Sequence, residues 1–403
     1  MTRSEIYEQC VQKIAQTNCL LMELATGTGK TKISIDLTNH LLSSQWYRDA
    51  PCINILILVA KRVHKQTWAD EIQKWGGYQH PKAEIKVCME CYESLNKHCN
   101  EKWDIVLLDE CHHIASEKRM AELATLRYGY MIGLSATIPR NVKAFFRYRF
   151  HSQVVSCDII EAIDSEVLPE PQILLFPLQV ETSRVSEVLE LHTKAPGPVV
   201  HCDYKDLYKY KFKNIHVLCR CTQEQKLREL NSMIDWFKKK AMQGSQSMKQ
   251  TWLYFCGKRL EFLADCKLQW VKLILHHLDK ERTITFCKTI AQTEHLGKNC
   301  IHSQNKDAEK VYNSFNAGQI DHITAVNILN ENANLVNCKY AIFCNISSSE
   351  VVIPQRLGRA MRHKSPVIIM PYYKGTREEE VVTKMTEGFN TDYIKVIHSI
   401  QEI

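Results

Sequence analysis

The chain has 403 residues and a formal net charge of +7, and at roughly 150 residues per domain that length predicts two or three domains. Its content, 45% apolar and 24% charged, is that of a globular protein and excludes the disordered and fibrous classes. The longest apolar run, near Ile53–Ala60, is far short of the ~20 residues a membrane-spanning helix needs.

Met1 to Gln12 carries Arg3, Glu5 and Glu8 and lacks the apolar core of a signal peptide. The expectation is a soluble, non-secreted, cytoplasmic protein. The 17 cysteines are odd in number and irregular in spacing, which reads as scattered buried thiols rather than a disulfide framework.

Through the first 160 residues apolar runs alternate with amphipathic stretches. Strands are predicted at Cys19–Leu24, Ile53–Ala60, Ile85–Cys88, Asp104–Leu108 and Tyr130–Leu134, with helices between them at Lys30–Leu42 and Lys65–Trp75. This alternation predicts a parallel sheet covered on both faces. Directly after the first strand comes Ala25-Thr26-Gly27-Thr28-Gly29-Lys30-Thr31, which runs into a helix. Strand, glycine-rich turn and helix are the context of a phosphate-binding loop. Gly27, Thr28 and Gly29 would turn backbone N–H groups inward, helix-terminal amides would hold phosphate, Lys30 would reach the outer phosphates and Thr31 would ligate Mg²⁺. Leu24 stands where such a loop usually has its first glycine.

Cys88-Met-Glu-Cys91, followed by His98 and Cys99, opens with zinc-like spacing. No second pair follows, so the segment is read as a strand and helix that contain thiols. Next, the buried strand Trp103–Leu108 ends in Asp109-Glu110-Cys111-His112. Ligands in parallel sheets bind beyond the carboxyl ends of the strands. There Asp109 would hold Mg²⁺ and Glu110 would orient and deprotonate an attacking water. A capped helix start with acidic first-turn residues would satisfy the same letters.

A segment rich in proline and charge follows, with Pro169, Pro171 and Pro196-Gly197-Pro198. Residues 201–260 then hold 13 Lys/Arg against 5 Asp/Glu and nine aromatics. Such a window suits phosphates, by counterion release, and unpaired bases, by stacking. Leu227, Leu230, Ile234, Phe237 and Ala241 repeat at helical spacing and are expected to face a core, with Lys238, Lys239 and Lys240 beside them. From about Lys267 the alternation returns. Strands are predicted at Thr283–Cys287, Asn299–His302, His322–Val326, Tyr340–Cys344 and Val367–Met370, and helices around Ala291–Gly297, Asp307–Ala317 and Glu350–Arg359. The tail from Tyr393 to Ile403 is apolar at helical spacing through Ile394, Ile397 and Ile400, and is expected to pack on the second domain.

On these residues the chain resembles the superfamily 2 DExH-box helicases and translocases. Ala25–Thr31 resembles motif I, and Asp109–His112 resembles motif II in its DECH form. Ser135-Ala136-Thr137 resembles motif III, and Gln355–Arg362 resembles motif VI. Val59–Trp75 looks like motif Ia of the translocase and phage-type branches, and Leu329–Asn334 looks like motif V. Two departures stand out: Ala60 where motif Ia usually has proline, and Asn332 where motif V usually has glycine. Gln9 is a weak match to the adenine-reading glutamine.

The resemblance implies an α/β protein of two RecA-like P-loop domains in tandem, 1–165 and 267–403, with a linker and basic, mainly helical insert at 166–266. It implies ATP and Mg²⁺ held between the domains. Arg359 and Arg362 would come from the second domain to neutralise charge on the γ-phosphoryl group, and Gln355 would contact the nucleotide or the attacking water. Ser135, Thr137 and His112 would couple hydrolysis to domain motion, His112 through a hydrogen bond to Gln355. Nucleic acid, DNA in preference to RNA, would cross both domains. Candidate contacts are Lys61, Arg62, Tyr204, Lys209 and Lys211. The DNA preference and a phage- or virus-type branch, with association to nucleic acid in a host cell, follow from likeness to compact viral remodellers. The competing readings are an RNA helicase, a double-strand translocase and an ATP-gated nucleic-acid-binding scaffold.

Overall fold

The computed structural model describes residues 1–191, 198–210, 215–244, 246–326, 335–347 and 363–403. The motif V-like stretch Leu329–Asn334, the motif VI-like stretch Gln355–Arg362, the helix expected at Glu350–Arg359 and Lys211 lie outside the described residues.

The chain is α/β. Its first six strands are β1 (Cys19–Leu24), β2 (Cys52–Val59), β3 (Glu84–Cys91), β4 (Lys102–Asp109), β5 (Arg127–Ser135) and β6 (Gln153–Cys157). They form one parallel sheet in the order β3-β2-β4-β5-β1-β6. The helices threaded among them are α1 (Arg3–Gln16), α2 (Lys30–Leu42), α3 (Arg62–Lys74), α4 (Glu117–Thr125) and α5 (Arg140–Phe150). Ile55 to Val59 and Ile105 to Leu108 are fully buried, because side chains on both sides of a two-face-covered sheet meet helices. Each such aliphatic residue contributes about 1.5–3 kcal/mol. One face packs Leu20, Met22, Ile57 and Ile132; the other packs Leu21, Leu58, Val106 and Met131.

Helix α6 (Ile159–Asp164) starts at a capping box of Asp158 and Glu161. Its Ile159 and Ile163 pack against the cores of both lobes, so it is a shared brace and not a free linker. Strand β7 (Gln172–Leu178) follows, then β8 (Glu187–Leu191), β9 (Val199–Asp203), β10 (His216–Cys221), α7 (Gln223–Met242) and α8 (Gln246–His277).

The second lobe holds β11 (Thr283–Phe286), α9 (Ile290–Leu296), β12 (Cys300–Ile301), α10 (Ala308–Asn316), β13 (His322–Ala325), β14 (Tyr340–Phe343), β15 (Val367–Tyr373), α11 (Arg377–Thr386) and β16 (Ile394–Val396). Its sheet is parallel throughout, in the order β12-β13-β11-β14-β15-β7-β16.

Three expectations are corrected. The segment 166–266 is not simply a linker with a mainly helical insert. It sends β7 into the second sheet and builds a small sheet β8-β10-β9 around Leu189, Val217 and Cys219. Pro177 stands within β7, although proline argues against a strand. It is tolerated because β16 pairs only as far as Leu175, leaving that end of β7 without a ladder partner on one side. The tail is not one helix: Ile394 opens edge strand β16 and Ile400–Glu402 makes a 3-10 turn, but it packs on the second lobe as expected, with Ile397 fully buried. Finally, β6 was not anticipated at all. Of the expected stripe, Leu227 and Leu230 join the second-lobe core and Ile234 is buried, while Phe237 and Ala241 are half-buried; Lys238, Lys239 and Lys240 are exposed.

All 17 cysteines are free thiols. Burial pushes Cys10, Cys19, Cys266 and Cys338 up to about 12. Among the described residues no helix is long and apolar enough to cross a membrane.

Candidate nucleotide-binding and hydrolytic site

Strand register brings the sequence motifs together. In the parallel pairs, Glu23 lies opposite Ser135 and Asp109 opposite Leu134. Neighbouring strands are about 4.8 Å apart, so the loop after β1, the acidic turn after β4 and the serine ending β5 share one edge, the carboxyl edge of the sheet.

The loop after β1 turns on Gly27 and Gly29, with φ of 97° and 95°, a region where a side chain would be strained. Gly29 is also the N-cap of α2, whose first turn carries no acidic residue. The first-turn amides and the helix dipole are therefore available to an anion. Thr28, fully buried, donates its hydroxyl to the Ala25 carbonyl at 2.8 Å. Lys30 donates from Nζ to the Leu24 carbonyl at 3.0 Å, so its side chain folds back over the loop. Arg3 of α1 donates to the Thr28 carbonyl at 3.1 Å and fixes the loop from outside. Gln9 sits elsewhere: its amide lies against Met1 Sδ.

Asp109 and Glu110 are each 4% exposed. Asp109 accepts at Oδ2 from the indole N–H of Trp68, 2.9 Å away, and its carbonyl accepts from the Tyr92 hydroxyl at 2.8 Å. Glu110 adopts a left-handed backbone, φ 49° and ψ 55°. That conformation is strained for a residue with a side chain and concentrates at functional sites. The turn brings Glu110 Oε2 to 3.2 Å from Ser135 Oγ, whose single hydroxyl proton is shared between this carboxylate and the Thr137 carbonyl at 2.8 Å. Ser135 Oγ also accepts from the Thr137 amide at 3.3 Å. His112 Nδ1 lies 2.9 Å from Ser135 Oγ and 3.4 Å from Glu110 Oε2. The hydrogen-bonding and ionic partners described for His112 are Ser135 and Glu110; Gln355, its expected partner, lies outside the described residues. Cys111 is fully buried under Gly133, where an added Cβ would come within 2.6 Å of Leu21 Cδ2 and 3.3 Å of Cys111 Sγ. Burial, then Glu110 and Asp109, hold its thiol well above the ordinary range, so it packs and is chemically inert.

Sequence reasoning missed three supports: Arg3 on the loop, Trp68 and Tyr92 on Asp109. It also missed Glu23, whose carboxylate accepts from the Ile138 amide at 2.8 Å and pairs with Lys143, holding the turn after Ser135. A glutamate interrupting the apolar run Cys19–Leu24 was the available signal, and in the fold it is half-buried.

The nucleic-acid candidates separate. Lys61 and Arg62 are exposed at the start of α3. Tyr204 is half-buried, and its hydroxyl donates to Glu229 at 3.0 Å. Lys209 is exposed but paired with Asp206 at 2.7 Å. Its neighbour Tyr208, 71% exposed, presents the open ring.

A hydroxyl at a helix N-terminus, Thr31, and a buried carboxylate, Asp109, are hard-oxygen donors of the kind Mg²⁺ takes. Beside them lies a glycine loop with a lysine, and a second carboxylate held by a serine and a histidine. The arrangement can bind a magnesium-complexed phosphate chain and place a base next to it.

Comparison with known proteins agrees. Residues 3–140 match the family model for the type III restriction enzyme res subunit, and residues 266–364 match that for the helicase conserved C-terminal domain. No curated protein sequence matches the chain. Among solved structures, Saccharomyces cerevisiae Dbp5 bound to RNA and ADP BeF3 is 11% identical with TM-score 0.58, over 98% of this chain and 89% of that one. The type ISP restriction-modification enzyme LlaBIII bound to DNA is 14% identical with TM-score 0.53. The alignment spans 99% of this chain but 31% of LlaBIII. At these identities the likeness is one of fold: two RecA-like lobes in tandem. The two family matches, to a restriction-enzyme res subunit and a helicase C-terminal domain, mark the chain as an ATP-hydrolysing enzyme of helicase type. More narrowly, it carries the core of a superfamily 2 helicase, an ATP-dependent nucleic-acid helicase or translocase.

Proposed function

We propose that this helicase core acts on DNA, coupling ATP hydrolysis to strand separation or branch remodelling, as a DECH-type member of a phage- or virus-type branch. The observation that carries the hydrolytic assignment is the pair of buried carboxylates at the same sheet edge as the glycine loop, with Glu110 in a left-handed turn and its carboxylate against Ser135. Mg²⁺ bound at Thr31 and Asp109 would supply charge neutralisation on the phosphate oxygens. Gly27, Thr28, Gly29 and Lys30 orient the phosphates. Glu110 accepts the proton of the attacking water, and Ser135 and His112 keep its carboxylate aimed. Arg359 and Arg362, within the span matched by the C-terminal helicase model, are assigned to the charge developing on the transferred phosphoryl group, and Gln355 to the nucleotide or water.

The domain division proposed remains 1–165 and 267–403 around 166–266, amended by β7. For nucleic acid, support comes from the insert surface. Trp236 and Tyr254 are 52% and 56% exposed, with Lys240 and Lys258 each 6.0 Å from those rings. Rings flanked by ammonium groups suit unpaired bases and phosphates together. DNA is favoured because LlaBIII is a restriction-modification enzyme bound to DNA, and the first-lobe model also describes a restriction enzyme. The likeness to RNA-bound Dbp5 makes an RNA duplex the second reading. Strand displacement on matched DNA and RNA duplexes decides between them. Displacement of DNA at the higher rate is expected, and displacement of RNA alone would reverse the assignment.

A further inference from the structure

We propose that Cys88, Glu90 and His98 form a binding site for a zinc-class divalent cation, separate from the nucleotide pocket. This metal would pin the edge of the first sheet. Strand alternation puts Cys88 and Glu90 on one face of β3, while Met89 and Cys91 turn the other way into the core around Ile57. The chain then makes a short 3-10 turn, Tyr92–Lys97, and returns His98 to the same place. One donor atom from each of Cys88, Glu90 and His98 lies within 4.8 Å of the other two.

A tetrahedral cation with bonds of about 2.0–2.3 Å holds its ligands roughly 3.5 Å apart, so side-chain rotations of about 1 Å would close the site. Sulfur, imidazole and carboxylate together suit Zn²⁺ better than the hard cation Mg²⁺. The histidine is already oriented. Glu101 lies 3.4 Å from His98 Nδ1, leaving Nε2 as the donor, the carboxylate–histidine–metal arrangement of known sites. Trp103 packs edge-on to the same ring at 5.7 Å. Three protein ligands leave a fourth position for water.

The zinc-like spacing in the sequence included Cys88 and His98, but its other two thiols lie apart from them. Cys91 is buried on the opposite face, and Cys99 points its thiol at the Leu95 and Glu122 carbonyls. One group opposes a cation: Lys65 Nζ lies 3.0 Å from Glu90 Oε2. The consequence for the fold is local. β3 is the sheet edge, and the turn between Cys91 and His98 carries Tyr92, which holds the Asp109 carbonyl. A bound cation would staple that turn to the strand.

The test uses the full chain, stripped with a chelator and titrated with Co²⁺ and then Zn²⁺ in excess Mg²⁺. One equivalent of Co²⁺ giving a thiolate-to-metal charge-transfer band, displaced by Zn²⁺, is expected. Cys88→Ser should abolish the band. His98→Ala should weaken affinity by more than the roughly 10–100-fold that loss of an outer partner costs. Cys91→Ser and Cys99→Ser should leave the band intact, and Lys65→Ala should tighten binding. Circular dichroism of each variant without metal separates lost binding from lost folding, with Glu90→Gln as a second ligand variant. Absence of the band, or a band unchanged by Cys88→Ser and His98→Ala, would overturn the proposal. None of these readouts depends on ATP turnover, so the site stands or falls apart from the helicase assignment.

Discussion

Asp109 and Glu110 are neighbours in sequence but answer to different partners, and the left-handed turn at Glu110 separates them. Asp109 stays on the strand, where Trp68 and Tyr92 hold it; Glu110 swings to Ser135 and His112. Glu110→Gln keeps the size and the Ser135 contact but removes the base. It should therefore bind ATP normally in a nucleotide-binding assay while turnover disappears, and loss of binding would contradict the role. Trp68→Phe keeps the buried ring and deletes one bond to a carboxylate. Hydrogen bonds to charged groups are worth about 1.5–3 kcal/mol, so steady-state turnover should fall roughly 10-fold or more; an unchanged rate would make Trp68 packing alone. Arg362→Ala should slow single-turnover hydrolysis by on the order of 10³-fold, and near-normal rates would remove that arginine from the reaction.

Helix α8 shows how one element can serve two parts of the molecule. Its first half pairs with α7 in the insert, and its second half lies on the second sheet through Val271, Ile274 and Leu275. There Lys267, fully buried, meets Glu378 of α11 at 2.6 Å and the Pro371 carbonyl at 3.2 Å. Lys267→Ala leaves Glu378 as an uncompensated buried charge. Chemical denaturation should show a loss of about 3–5 kcal/mol, largely recovered when Glu378→Leu is added; little loss in the single variant would mean that water reaches the pair.

The elements legible in the sequence were those with strong local signals. β1 and α2 begin and end where periodicity placed them, because a buried run meets a glycine turn. β7 was missed because Pro169 and Pro171 marked the segment as a loop, although Ile173–Phe176 is an apolar run; the short reach of β16 leaves room for Pro177 within the strand. The tail misled for a related reason: three isoleucines at spacing of three fit a helix or a strand followed by a turn, and sheet pairing decided.

At the scale of the whole molecule, the site was readable because parallel register sets three distant segments at one sheet edge, and each segment carries polar residues just past an apolar run. Its supports were not readable. Arg3, Glu23, Trp68 and Tyr92 matter through contacts that span up to 120 positions, which no local pattern encodes, although the charge inside an apolar run did mark Glu23. The basic insert was legible by charge but not by face: Tyr204 is tied to Glu229 while Tyr208 is open. Replacing Lys238, Lys239 and Lys240 by alanine should lower the slope of log affinity against log salt by roughly 0.7–0.9 for each lysine that meets a phosphate; an identical slope would leave them a solvated surface.

The most direct measurement is steady-state ATP hydrolysis by the full chain, with and without single-stranded nucleic acid, in wild type, Lys30→Ala and Glu110→Gln. Turnover that rises on adding the strand in wild type and vanishes in both variants is the predicted result. Hydrolysis indifferent to nucleic acid, or surviving in either variant, would contradict it.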